Sequence, residues 1–325
     1  INISVFYPPA TSKYYSNMEE ANVNITQAFK NKCLQTGFIA CGIAKATTLP
    51  EKEIFLNNWI SCNFHGDMQY LQRSVNKRTD PAIILPGVKS IIVLLTNYYP
   101  SKKQKPDTYQ IAKYAYGQDY HHVLNKKTLS LIDWLQVKYP ESKSLAYTDT
   151  GAILEKHWAT IAGLGWIGNN TLLIHPTYGS FNFLSVILTT IELNYDHPFS
   201  KNLCASCNKC IEACPTKAIT EPHVLNATRC LSYMNNEAKR EIPEEFFSLL
   251  NNRLFGCDIC QDVCPFNQKL SPTTIPEFQA KEKLFTLTCE KWKELSEEEF
   301  LEIFTGTPLE RTGYKKITET MSLLD

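Results

Sequence analysis

Apolar positions along this chain follow two rhythms, and together they predict an α/β layout for residues 24–200. In ITQAFKNKCLQTGF (25–38) and HHVLNKKTLSLIDWLQVKY (121–139) they recur at helical spacing, so each segment reads as a helix with one buried face. ILEKHWATIAGLG (153–165) reads as a third helix. FIACGIA (38–44), SIIVLLTNYY (90–99), KSLAYTD (143–149), TLLIHP (171–176) and NFLSVILTTIEL (182–193) are short runs rich in β-branched and apolar residues, the mark of strands. The expected core is of α+β or α/β class on a mixed sheet. PEEFFSLLNNR (243–253) reads as another helix, and residues 268–325 as a polar helical tail. Residues 1–23 read as an N-terminal extension.

Composition fits a globular protein of about two domains, with 325 residues, 43% hydrophobic and 20% charged. The longest apolar runs are strand-length, too short to cross a bilayer. The opening segment lacks a basic stretch followed by an apolar one, and it lacks a twin-arginine pair, so the expectation is a cytoplasmic protein with no membrane association. The formal net charge is zero. This argues against strong nonspecific binding to nucleic acid and leaves room for a local basic patch.

The cysteines add chemistry. CASCNKCIEACP carries Cys204, Cys207, Cys210 and Cys214 in the bacterial ferredoxin pattern C-x2-C-x2-C-x3-C-P. CDICQDVCP carries Cys257, Cys260 and Cys264, with Cys230 upstream to complete a second set. In two-cluster ferredoxins the fourth cysteine of a run ligates the other cluster. The partition that follows is Cys204, Cys207, Cys210 and Cys264 on one 4Fe-4S cluster, and Cys214, Cys230, Cys257 and Cys260 on the other. Zinc accepts four thiolates too, but it does not call for a third cysteine two residues on and then Cys-Pro. Disulfides need an oxidising compartment. Cys33, Cys41, Cys62 and Cys289 are scattered and read as small buried hydrophobes. Residues 201–267 thus read as a ferredoxin-like domain following the α/β core.

Clusters carry electrons and seldom bind substrate, so the reaction centre is expected in the α/β part. Its densest segment is DTGAILEKHWATIAGLGWIGNNTLLIHPTYGS, residues 149–180. Gly163, Gly165 and Gly168 match G-x-G-x-x-G, but a helix precedes them and a strand follows, the reverse of a dinucleotide loop. A large planar or macrocyclic cofactor lying against the glycines is the reading they suggest.

Taken together, DTG-x-x-LE, AGLGWIG-x-N, YGSF and the two cysteine runs resemble the epoxyqueuosine reductase family. HGDMQYLQR (65–73), NKRTDP (76–81), LPGVKSIIV (85–93), YAYGQDYH (114–121), RCLSYMNNE (229–237) and NRLFGCDICQDVCPFN (252–267) extend the resemblance over roughly residues 24–316. It implies a cobalamin-binding core of α+β or α/β class, a two-cluster 4Fe-4S domain and a short helical tail. The implied activity is reduction of epoxyqueuosine to queuosine at the wobble position of transfer RNA, with electrons passing through both clusters to base-off cobalamin. The lower-ligand motif D-x-H-x-x-G is absent here, since Leu124 stands at its glycine position after Asp119-Tyr120-His121. An external low-potential donor and a monomeric chain are the further expectations.

An epoxide oxygen leaves badly as an alkoxide, so a positioned acid is needed. By resemblance that acid is Asp149, which from the sequence alone also reads as a helix cap. Glu155 reads as structural. Arg78 is expected to reach the corrin edge or its phosphate tail, its alternative being a surface pair with Asp80. Asp119, His121, Asn169, Asn170 and Ser180 are the other expected cofactor contacts, with Tyr120 a further candidate pocket group. Asn169 stands where the family usually has Lys, and DTGA where DTGP is more usual. Lys102, Lys103 and Lys105, and Arg311, Lys315 and Lys316, form two basic clusters suited to RNA phosphates. Tyr98, Tyr99, Phe181 and Phe183 are candidates to stack on a splayed base. Two rival functions are a cobalamin-dependent reductive dehalogenase acting on a small molecule, and a noncatalytic electron carrier. The dehalogenase would bear an export signal and more often a Tyr acid; the carrier would need no cofactor segment.

Overall fold

The protein, described by a computed structural model over residues 25–324, is organised around one four-stranded sheet. The expected extension at residues 1–23 lies outside the described residues. Strands β1 (Ala40–Lys45), β2 (Ser90–Asn97), β3 (Ser144–Tyr147) and β4 (Asn182–Thr189) stand in the order β1-β2-β4-β3. Helix α1 (residues 25–35) precedes β1, α2 (Pro50–Ser61) lies between β1 and β2, α3 (Tyr120–Lys138) precedes β3, and α4 (Glu155–Ile161) follows it.

Side chains on β2 alternate between two cores, as the pleat requires. Ile92 and Leu94 face a core shared with Phe29 and Cys33 of α1 and Leu124, Leu131 and Leu135 of α3. Ile91, Val93 and Leu95 face the opposite core, with Trp158 and Ala159 of α4 and Leu85. All five β2 side chains are 0% exposed, and each contributes about 1.5–3 kcal/mol by leaving water. On α3 the buried positions Leu124, Thr128, Leu131 and Leu135 fall on one stripe at helical spacing. Asp119 caps this helix by accepting from the His121 backbone N–H at 3.0 Å.

The α+β class matches expectation, but the sheet itself is antiparallel at every pairing and is not mixed. Continuous apolar runs usually mark parallel strands buried on both faces. Here helices cover both faces of an antiparallel sheet, which produces the same composition. The one parallel pairing among the described residues is short, Gln110–Ile111 with Arg253–Phe255.

Two other expectations are corrected. PEEFFSLLNNR forms a 3-10 segment, Glu244–Leu249, packed through Phe246 and Leu250. The tail is helical as expected, over Cys289–Glu294, Glu297–Phe304, Pro308–Thr312 and Tyr314–Ser322, but it is not simply polar. Leu284, Trp292, Phe300, Phe304, Leu309 and Ile317 build a third core with Tyr109, Ile111, Leu254 and Phe255. Of the four unassigned cysteines, Cys33 is buried as expected, but Cys62 is exposed. Cys33 and Cys41 are in contact, and the Cys41 thiol followed by burial pushes Cys33 far above the ordinary thiol range. Among the described residues no helix is long and apolar enough to cross a membrane.

Candidate active site and cluster-binding region

The two cysteine runs fold into two short turns whose thiols mix. Burial first, then the thiols of Cys204 and Cys264, pushes Cys210 up. Cys264 is raised by burial and by Cys204 and Cys207. On the other side burial and Cys214 raise Cys230, and burial followed by Cys230 pushes Cys257 up to about 12. Cys260 is raised by burial and then by Cys257 and Cys230. Like charges raise one another only at close range, so these effects gather the thiols into two adjoining groups, with Cys210 of the first also raising Cys260 of the second. Among the described residues no three His, Cys, Asp or Glu side chains converge tightly enough for a single metal ion.

The glycine segment serves the first group rather than a flat ligand, which corrects the expectation. Gly165 has φ +151, and a Cβ there would lie 2.1 Å from the Ile174 carbonyl oxygen. At Gly163, φ +79, a Cβ would lie 2.6 Å from the His197 carbonyl oxygen. The space beside these glycines is therefore filled by the chain's own backbone. Their close packing seats Trp166, whose Nε1 donates to Cys204 Sγ at 3.3 Å and whose ring stacks on Phe199. Gly165→Ala should destabilise the fold by roughly 3 kcal/mol and lower iron content, because the added methyl must displace the Ile174 backbone. Chemical denaturation and an iron assay check this.

A cavity of about 460 Å3 lies between the α/β core and the second cysteine group. Asp149 and Glu155 line one wall, and Cys214, Cys230, Cys257 and Cys260 another. Tyr98, Tyr114, Tyr120 and Phe183 supply an aromatic side, with Tyr120 stacked on Phe183 at 4.2 Å. The first group's Cys204, Cys207, Cys210 and Cys264 do not line it.

Asp149 follows β3 in the left-handed region, φ 57. Asp accepts this conformation more readily than most residues. Its carboxyl Oδ2 accepts from Tyr120 Oη at 2.6 Å, and its backbone N–H donates to Glu155 Oε1 at 2.8 Å. It does not cap α4, which begins after Leu154 without a side-chain cap. Burial, and then the Asp149 charge, pushes Glu155 up to about 8. Lys156 lines the same cavity with its side chain exposed. Arg78 sits just beyond, its Nη1 donating to the Gly151 carbonyl at 3.4 Å while its buried Nε has no partner. Burial lowers its pKa despite Tyr70, Glu155 and Asp149 nearby. Asp80, its alternative partner, caps the next helix through the Ala82 N–H instead.

The remaining expected contacts divide. Asn170 lines the cavity. Asn169 is buried and donates to the Cys207 carbonyl at 2.9 Å, tying the glycine turn to the first run. Ser180 donates to Gln261 Oε1 at 2.9 Å and accepts from Asn267 Nδ2, joining the core to the second run. Asp119 and His121 pair with each other at 2.6 Å. Burial opposes ionisation of Asp119, but the His121 amide and ring outweigh it and hold the carboxyl below its usual range. Asn169, Ser180, Asp119 and His121 thus spend their polar groups inside the protein and leave the cavity wall to others. Tyr120, between the last two, lines the cavity and donates to Asp149.

Of the stacking candidates, Tyr98 and Phe183 line the cavity, while Phe181 is core. Arg311 of the tail reaches the cavity. Lys102 pairs with Glu282 at 2.5 Å, Lys315 with Glu319 at 3.9 Å, and Lys316 donates to the Ala238 carbonyl.

A family model described as 4Fe-4S double cluster binding domain matches residues 203–267, so the chain carries a two-cluster iron–sulfur domain. A second, described as Epoxyqueuosine reductase QueG, DUF1730, matches residues 78–150. The chain is 39% identical over 295 residues to the epoxyqueuosine reductase of Cellulophaga algicola, covering 91% of this chain and 96% of that protein. It is 36% identical over 298 residues to that of Pseudomonas aeruginosa, covering 90% and 82%. It resembles a crystal structure of epoxyqueuosine reductase with an epoxyqueuosine-modified tRNA-Tyr stem loop, TM-score 0.85, 29% identity, 93% of this chain and 80% of that one. A Bacillus subtilis structure, described with its catalytic loop swung out of the active site, matches at TM-score 0.84 and 28% identity, covering 93% and 81%. By sequence over nearly its whole length, and by fold, this chain belongs to the epoxyqueuosine reductase family.

Proposed function

We propose that this chain reduces epoxyqueuosine to queuosine at the wobble position of transfer RNA, as a cytoplasmic monomer drawing on an external low-potential donor. The observation that carries the reading is the cavity that sets Asp149 opposite Cys214, Cys230, Cys257 and Cys260. A proton donor and an electron source flank one space, as a reductive removal of oxygen requires.

The wall chemistry suits base-off cobalamin. Aromatic and aliphatic faces offer an apolar bed, Arg78 just beyond the wall has a buried Nε without a partner, and among the described residues no histidine lines the cavity to act as lower ligand. Arg78, Asn170 and Asp149 are the polar groups that would meet it. When bound, cobalamin supplies the low-potential reducing centre for C–O cleavage.

This chain's residues do the rest. Cys214, Cys230, Cys257 and Cys260 would hold the cluster nearest the reaction space, and Cys204, Cys207, Cys210 and Cys264 the outer one, where the loop 201–209 is largely exposed to a donor. Asp149 hands a proton to the epoxide oxygen, oriented by Tyr120. Tyr98 and Phe183 are each 7% exposed and pack on one another, Phe183 also on Tyr120, so they back the cavity rather than stack on a nucleotide, while Arg311 offers a phosphate contact.

The test is anaerobic purification, cobalamin reconstitution and assay on transfer RNA carrying epoxyqueuosine with a low-potential reductant. Queuosine formation is the expected result. No conversion with both clusters and cobalamin bound would overturn the reading and turn attention to organohalide substrates.

A further inference from the structure

Removing an epoxide oxygen from adjacent carbons breaks two C–O bonds, forms one C=C bond and releases water. It consumes two electrons, which the donor supplies through the clusters, and two protons. Asp149 carries one proton at a time, so a second must reach the same oxygen from inside the cavity. We infer that Glu155 is the proton store that reloads Asp149 between the two transfers, an inference that rests on the epoxyqueuosine reading.

Glu155 shares the cavity wall with Asp149, and its Oε1 is 2.8 Å from the Asp149 backbone nitrogen. This bond joins the first turn of α4 to the left-handed residue after β3, so the Glu155 carboxyl is held against the Asp149 backbone. Tyr120 holds the other side of Asp149 at 2.6 Å, leaving Glu155 as the carboxyl tied directly to it. Two other carboxyl groups share the wall, Asp258 and the exposed Glu237, and among the described residues neither is hydrogen-bonded to Asp149. Asp258 accepts from the Lys113 backbone at 2.8 Å and pairs with its ammonium at 3.2 Å. Burial pushes Tyr98, Tyr114 and Tyr120 far above the range in which a phenol yields its proton.

The charged groups facing Glu155 are Asp149, Lys156 and Arg78. Enclosure and the Asp149 charge favour its neutral form, while the Asp149 amide, Lys156 and Arg78 oppose this; the balance sets it near 8. In this role Glu155 is protonated at neutral pH. Once Asp149 has given up its proton, the new negative charge strengthens the pull toward sharing. Glu155 does not touch the reacting atoms; it acts through Asp149.

Glu155→Gln keeps an acceptor for the Asp149 N–H and removes the proton. In substrate-free holoenzyme, infrared titration of the wild type should show a protonated carboxyl lost near pH 8. That band should be absent in Glu155→Gln, and its midpoint should fall in Asp149→Asn. Turnover in Glu155→Gln should drop about 10–100-fold at pH 7 and lose the alkaline limb near pH 8, with Glu155→Asp partly restoring both. Wild-type turnover and an unchanged limb in Glu155→Gln would overturn the inference. So would an Asp149→Asn variant that leaves the Glu155 midpoint in place. If the infrared coupling is present but the wild type does not reduce epoxyqueuosine, the functional reading has failed, and the store loses its reaction with it.

Discussion

Asp149→Asn should lower conversion of epoxyqueuosine by about 10²–10⁴-fold while both clusters and cobalamin stay bound. The substitution is nearly isosteric. The amide oxygen can still accept from Tyr120 Oη, and the backbone N–H can still reach Glu155 Oε1, so the loop should hold its position. What disappears is the proton, and without it the oxygen must leave as an alkoxide. Product analysis on modified transfer RNA, together with iron and cobalamin content, separates this from misfolding. Turnover close to wild type would remove Asp149 from the proton-donor role. Tyr120→Phe is a milder companion: it removes one hydrogen bond that orients the carboxyl.

Cys230→Ala should remove one of the two clusters, taking iron from about eight to about four atoms per chain, and abolish turnover. Cys230 stands apart from both runs in sequence, yet it is a neighbour of Cys214 and Cys257 and lines the cavity. Its loss opens the group nearest the reaction space. The first group, Cys204, Cys207, Cys210 and Cys264, should still load, leaving a protein that accepts electrons and cannot deliver them. Retention of about eight irons would break the proposed partition.

Much of this was legible from the chain. The stripe on α3 and the alternating faces of β2 and β4 are properties of the residues themselves, and these elements form close to where the pattern puts them. The cysteine spacing is likewise local information. What could not be read depends on partners distant in sequence. Strand direction follows from how the connections return, and an antiparallel sheet covered on both faces has the composition of a parallel one. Gly163, Gly165 and Gly168 announce a close approach, but only the fold says that His197 and Ile174 do the approaching. Asn169 and Ser180 look like ligand contacts because they are short and polar beside a turn. Their partners Cys207, Gln261 and Asn267 lie across the interface with the cysteine runs. Glu155 seems a plain first-turn carboxylate until β3 and α4 bring it beside Asp149.

The core built by the tail has a bearing on biosynthesis. Leu254 and Phe255, just before Cys257, are covered by Leu284, Trp292, Phe300, Phe304 and Leu309, all made later. On the ribosome the N-terminal sheet can form early, because all four of its strands have emerged by Thr189. The second cysteine run then waits, its apolar neighbours open to solvent, until the last helices are translated. Iron delivery to this region should therefore follow synthesis of the segment from Leu284 to Leu309. A nascent chain stalled shortly after Asn267 would present a sticky, unmetallated face to chaperones and proteases.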